Sequence, residues 1–201
     1  TVLSRGLGDV YKRQIVNLSE LNAAGPEVLF ALHSLLDRHR KLELPNGEVL
    51  SLREDTYIFG TMNPTSLRDY AGTQSLNKAF ADRWVIWDKP FPNKEQLDAI
   101  FEKRYPKLQK EYRELIIKLA TEINNSFMSD DISINIETPM SLRTIVERIP
   151  IGLDVYADSV DPLKDTWENF VLPHVNKEDL DHYKTLWNTI VRKGPSIKPK
   201  L

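Results

Sequence analysis

Three polar residues stand at the ends of apolar runs, where side chains that do chemistry tend to sit. Glu20 follows the run Ile15–Leu18, Asn63 closes "TYIFGTMNP", and Arg83 ends the helix-like "SLNKAFADR". In an open α/β sheet, ligands bind outside the carboxyl ends of the strands. A carboxylate and an amide on neighbouring strands could there orient a water for attack on a phosphate. An arginine offered across an interface could stabilise the charge that develops. Plainer roles stay open for the same residues. Glu20 and Asn22 suit helix capping, Asn63-Pro64 is a common turn dipeptide, and Arg83 suits a surface ion pair with Asp82 or Glu20.

The elements that must position these groups follow from the apolar rhythm. Ile15–Leu18 reads as a short strand buried on both faces, as in a parallel sheet. In "NAAGPEVLFALHSLLDRH", Pro26 and Glu27 suit the first turn of a helix whose apolar face is Val28, Leu29, Leu32, Leu35 and Leu36. "KLELPNGEVLSL" is a hairpin signalled by Asn46-Gly47. Thr56 to Thr61 reads as a second buried strand, and "WVIWDKPFP" as a last one closed by prolines; between them a loop with Gly72 leads into "SLNKAFADR". Beyond Pro92 the pattern is helical. Asn93 is placed to cap a helix through Arg104, and Pro106 to start a longer one through about Phe127. Ser141 is placed to cap "LRTIVERI", and further helices are expected over Pro162–Leu172 and Lys177–Val191. The expected fold class is therefore α/β followed by all-α.

Composition narrows the partners. The chain has 201 residues, 41% hydrophobic and 28% charged, with a formal charge of −2. That balance argues against an electrostatic grip on nucleic acid or an anionic membrane. With no cysteine, disulfides and thiolate metal sites are excluded. No apolar run approaches the about 18 residues of a membrane helix, and no signal-peptide pattern opens the chain; the expected location is the cytoplasm. His33, His39, His174 and His182 lack metal-ligand spacing. The stripe Trp167, Phe170, Leu172, Leu186, Trp187 and Ile190 is expected to be helical core, not a nucleic-acid platform.

Four segments then carry a resemblance. "IVNLSELNAAGPEVLFALHSLLD", "YIFGTMNP", "YAGTQSLNKAFADRW" and "SLRTIVERI" stand in the order of the AAA+ ATPase motifs. Within that superfamily the chain most resembles the MoxR/CobS/CbbQ branch, which includes midasin-like modules and carries a hairpin before the second of these strands. The resemblance implies a partial P-loop NTPase αβα sandwich, from Walker B onward, with a helical lid. It implies that Glu20 is the catalytic glutamate, that Asn63 is sensor 1, and that Arg83 is the arginine finger acting on a neighbouring subunit's nucleotide. Arg143 in "SLRTI" would be sensor 2, and Ser19 stands where the Walker B aspartate that holds the Mg²⁺ shell belongs. The implied ligands are ATP and Mg²⁺. The implied partners are a homo-oligomeric ring, expected to be a hexamer, and a protein to be remodelled, such as one with a von Willebrand A-type domain. No nucleic-acid or membrane partner is implied.

Two departures bear on activity. A serine brings no negative charge to a hard cation, so weaker Mg²⁺ organisation and slower hydrolysis are expected. No G-x-x-x-x-G-K-[ST] occurs, and Gly6 and Gly8 do not supply one. A P-loop and Walker B are separated by a βαβ crossover, and eighteen residues precede Ser19. The expectation is a chain truncated ahead of Walker B and inactive alone. "GLGDVYKRQ" resembles translated adaptor sequence, so 1–14 is expected to be a non-native leader. The expected divisions are then 15–92 for the core, with a hairpin insert at 41–52, 93–192 for the lid, and 193–201 for a loose tail. A catalytically silent scaffold subunit and a non-nucleotide α/β-helical interaction module are the alternatives.

Overall fold

The computed structural model describes residues 14–63, 75–129 and 136–201. Most of the expected leader, with Gly6 and Gly8, and the loop with Pro64 and Gly72 lie outside the described residues. The chain divides into two compact units, Thr1–Asp88 and Lys89–Leu201.

In the first unit, β1 (Ile15–Leu18) pairs in parallel with β4 (Tyr57–Gly60), Leu18 lying opposite Gly60. Parallel partners need a crossover between them. It runs through α1 (Pro26–Leu36) and the hairpin of β2 (Lys41–Glu43) and β3 (Val49–Ser51). Leu44 and Glu48 close the hairpin loop, in which the Gly47 N–H donates to the Leu44 carbonyl. Gly47 has φ +81°, the left-handed conformation that favours glycine at the end of such a three-residue loop. Gly60 is small for another reason: a Cβ there would stand 3.0 Å from Leu21 Cδ2 and 3.3 Å from the Trp84 ring. The core of this unit is Leu21, Leu29 and Phe80, joined by Leu18, Leu32, Leu36 and Trp84.

The sequence overstates burial here. β1 and β4 were expected to be covered on both faces, yet Ile15 is 71% and Tyr57 58% exposed. Among the described residues the sheet has these two strands, so their outward side chains meet no second layer. "WVIWDKPFP" forms no strand, and Val85 and Trp87 are more than 80% exposed. An apolar run becomes a strand only where an edge accepts its backbone, and none of the described strands pairs with it. Instead of a helix over "SLNKAFADR" there is one short turn, α2 (Lys78–Ala81), capped by the Asn77 side chain accepting from Phe80 N.

The second unit is helical. Asn93 and Gln96 form a reciprocal capping box at the start of α3 (Lys94–Arg104). α4 runs Lys110–Phe127. It starts four residues later than Pro106 suggests, because Leu108 turns back into the core, its N–H bonded to the Tyr105 carbonyl. The segment opened by Ser141 passes through a widened π-turn, Thr144–Arg148, into α5 (Ile149–Val155). α6 (Pro162–Thr166) likewise continues through a π-turn, Trp167–Val171, and α7 (Leu180–Ile190) completes the unit. Trp167 stacks on Trp187 at 5.0 Å inside one core with Phe101, Tyr112, Ile116, Ile145 and Leu153.

The tail 193–201 is docked rather than loose. The Tyr112 hydroxyl donates to the Ile197 carbonyl at 2.7 Å, and Gln109 bonds the backbone of Lys198 and Lys200. The Gly194 N–H reaches Asp161, and Lys198 pairs with Asp158. Composition suggested mobility; these contacts supply partners for the backbone groups that a loose tail would leave to water.

Candidate functional site

Parallel pairing decides where the first unit's polar groups go. Because β1 and β4 run the same way with Leu18 opposite Gly60, both chains leave the sheet at one edge. The pairing continues past the strands: Thr61 N donates to Leu18 O at 2.9 Å, and Leu21 N to Thr61 O at 2.8 Å. Ser19 and Glu20 therefore emerge beside the segment that carries Asn63.

Glu20 sits in the left-handed region, φ 55° and ψ 45°, with its side chain exposed. For a non-glycine residue that costs about 1–2 kcal/mol, and strain of this kind clusters at functional sites. Its side chain makes no capping bond to the short turn Leu21–Ala23 that follows. Ser19 is exposed as well, its Oγ 3.4 Å from Asn17 Nδ2. An exposed carboxylate beside an exposed hydroxyl is a hard-oxygen set, suited to water or a hard cation but holding one charge.

Asn22 is fully buried, and it does not cap a helix. Its Nδ2 donates to the Asn63 carbonyl at 2.8 Å, and its Oδ1 accepts from the Asn63 N–H at 3.2 Å. Both functions of the amide are spent on one peptide segment.

Arg83, just past α2, is held within its own chain. Its Nε donates to Asp37 Oδ1 at 2.6 Å and its Nη2 to Asp37 Oδ2 at 3.2 Å, a two-pronged pair. Nη1 donates to the Ala79 carbonyl. The hydrogen bond from Arg83 holds the Asp37 carboxyl below the usual carboxylate range, and the same bond raises Arg83. The partner is thus the C-cap of α1, neither Asp82 nor Glu20. Arg83 borders a surface depression of about 370 Å³ with Phe30, His33, Asp37 and Glu43, and none of Ser19, Glu20, Asn22 or Asn63 lines it.

Arg143 belongs to the second unit. Ser141 Oγ accepts from Thr144 N at 3.1 Å, which caps the helical segment and leaves Arg143 exposed in its first turn. Ahead of that cap, buried Asn124 on α4 bonds both backbone groups of Met140, at 3.1 and 2.8 Å. Asn124 repeats on the second unit the arrangement of Asn22 on the first.

The structure therefore brings Ser19, Glu20 and Asn63 to one edge, pairs Arg83 with Asp37, and carries Arg143 on the other unit. Sequence reading missed the clamp by Asn22 and the partner Asp37. Their partners are 41 and 46 residues away, beyond any local pattern. Among the described residues no group of three or more His, Asp or Glu could hold a metal, and no helix is long and apolar enough to cross a membrane.

Comparison with known proteins bears on the same elements. Residues 3–84 match the profile of the AAA domain, dynein-related subfamily. The matched span starts inside the stretch 1–14 set apart above. Midasin of Giardia intestinalis is 30% identical over 146 residues, 67% of this chain and 3% of that protein. Midasin of Dictyostelium discoideum is 38% identical over 96 residues, 47% of this chain and 2% of that protein. The aerobic cobaltochelatase subunit CobS of Sinorhizobium sp is 28% identical over 137 residues, 63% of this chain and 40% of that subunit. The chain thus spans a few per cent of the two midasins it matches.

Proposed function

The chain belongs to the dynein-related branch of the AAA+ ATPases, and we propose that it supplies the Walker B, sensor and arginine-finger part of an ATP-hydrolysing site. The observation that carries this reading is the parallel β1–β4 pairing, which delivers Glu20 and Asn63 to one sheet edge. The Glu20 carboxylate accepts a hydrogen bond from the attacking water and orients it toward the γ-phosphate. The Asn63 side-chain amide contacts that phosphate. Arg83 stabilises the developing charge on a neighbouring subunit's nucleotide, exchanging its carboxylate partner Asp37 for phosphate oxygens. On the helical unit, Arg143 is the phosphate-binding cation.

The oxygens at the edge fit a hard cation: Ser19 Oγ and the Glu20 carboxylate would face Mg²⁺, which supplies charge neutralisation on the phosphates when bound. No G-x-x-x-x-G-K-[ST] occurs in the 201 residues, and the ATPase reading requires such a phosphate-cradling loop. The assembly is a cytoplasmic ring, of hexameric form, that remodels a protein partner with a von Willebrand A or metal-chelatase-type domain. The β2–β3 hairpin faces that partner or substrate. One observation favours a second reading, a silent scaffold subunit: Ser19 is exposed but uncharged where the family places a metal-holding aspartate.

The test uses the polypeptide that carries the P-loop. Glu20→Gln is expected to lower turnover about 100-fold or more while ATP still binds. Arg83→Ala is expected to abolish turnover with binding spared. Normal turnover from Glu20→Gln overturns the reading, and no turnover from the unaltered ring selects the scaffold.

A further inference from the structure

Asn22 lies two residues after Glu20. It is fully buried, on the short turn Leu21–Ala23, beside the core residue Leu21. Burying an amide in such surroundings is costly unless its donors and acceptor are matched. Here the matching is specific: Nδ2 donates to the Asn63 carbonyl at 2.8 Å and Oδ1 accepts from the Asn63 N–H at 3.2 Å. A side chain that pairs with both backbone groups of one residue fixes that residue's position along and across the strand direction. A single bond would leave it free to swing.

The backbone ladder between the two strands ends just before this point. Leu21 N takes Thr61 O, and the residues after Leu21 fold into their own turn, with Ala24 N bonded to Leu21 O. Past Thr61 the chain carrying Asn63 has therefore lost its strand partner. Asn22 replaces the next rung with a side chain.

We propose that Asn22 is a positioning residue: its amide clamps the Asn63 backbone and so sets where the Asn63 side chain is presented beside Glu20. The proposal rests on the ATPase reading above. Asn22 touches no reacting atom; it acts through Asn63. A shift of about 1 Å at a group that contacts a transferring phosphate costs about 100-fold in rate, so the clamp governs turnover more than nucleotide affinity.

The experiment is a double-mutant cycle on turnover in the ring built from the polypeptide with its P-loop, each rate normalised to titrated ATP-binding sites. Asn22→Ala is expected to lower kcat about 100-fold with KM for ATP within about 2-fold. Introduced into Asn63→Ala, the same change is expected to cost less than about 2-fold more, because the group it positions is already gone. General damage to the fold would multiply the two losses instead, and full multiplication overturns the proposal; so does a wild-type kcat for Asn22→Ala. Should Asn22→Ala fail to fold, Asn22→Asp carries the cycle. It is isosteric, keeps the acceptor for the Asn63 N–H and loses the donor to the Asn63 carbonyl. Failure of the ATPase reading is seen separately, as unchanged turnover in Glu20→Gln.

Discussion

Replacing Asn124 by alanine should destabilise the helical unit by about 2–4 kcal/mol, far more than an exposed asparagine on the same unit. Asn124 stands near the C-terminal end of α4, and its amide bonds the Met140 carbonyl at 3.1 Å and the Met140 N–H at 2.8 Å. Both residues are buried, so water does not replace the lost partner. Each of the two Met140 backbone groups left buried and unpaired costs about 1–3 kcal/mol, a figure that already contains the lost bond. Partial relaxation of the Met140 segment brings the sum to the stated range. Asn169→Ala is the control. Its Nδ2 donates to the Asp165 carbonyl at 2.8 Å on an exposed surface, where deletion should cost within about 0.5 kcal/mol. The assay is native-state hydrogen exchange on α4 amides in the whole chain, which reports the second unit even if the two units open separately. Because the Met140 segment leads into the Ser141 cap, Thr144 N should lose protection more than the α4 amides do. Equal effects of Asn124→Ala and Asn169→Ala would refute the reasoning, since burial of the paired groups is what separates them.

Two further outcomes follow from shifted titrations. Burial pushes the Tyr112 phenol up to about 12, with the Asp161 charge adding to the shift. Its pKa is thus higher folded than unfolded, so this contribution is present below pH 10 and is lost as pH rises through about 12. Tyr112→Phe should remove it, cost about 1 kcal/mol, and speed exchange of the Gly194 and Lys200 amides that hold the tail; unchanged exchange would mean the hydroxyl does not hold it. Asp37 is lowered from 3.8 by the Arg83 hydrogen bond. The pair's contribution is present above that unfolded value and is lost as pH falls through the depressed one. In Arg83→Ala, the Asp37 carboxyl midpoint measured by carbon-13 NMR should move up toward 3.8; an unmoved midpoint would show that Arg83 is not its partner in solution.

What the sequence made legible was local. Asn93 was readable by itself as the cap of α3, and Ser141 as that of the segment with Arg143; the structure adds Gln96 as the reciprocal half of the α3 capping box. Asn46-Gly47 marked the hairpin, though the loop has three residues because Pro45 and Asn46 form a turn before left-handed Gly47. What failed depended on distant groups. "WVIW" has strand composition, but strand formation needs an edge to pair with, which the segment does not itself encode. The tail reads as loose from its lysines and prolines, and is held by Tyr112 and Gln109 some ninety residues earlier. For the candidate site, the residue types at Glu20 and Asn63 were readable; their shared edge came from the parallel register, and the clamp by Asn22 from neither.

The left-handed turn at Glu20 and the buried amide at Asn22 are best understood as one device. Ser19 and Glu20 are exposed, while Leu21 and Asn22 are buried. The chain passes from solvent to interior in a single residue step, and Glu20 makes that step in the left-handed region. The turn costs about 1–2 kcal/mol. The two buried bonds from Asn22 return about 1 kcal/mol each, so the arrangement comes out near even in stability. A feature that breaks even in stability yet fixes the backbone at Glu20 and at Asn63 is what preorganisation of the proposed site would require, because the backbone geometry is then set before any ligand arrives. Glycine at position 20 would relieve the strain at almost no steric cost. The loss would be in how narrowly the turn holds the groups on either side of it.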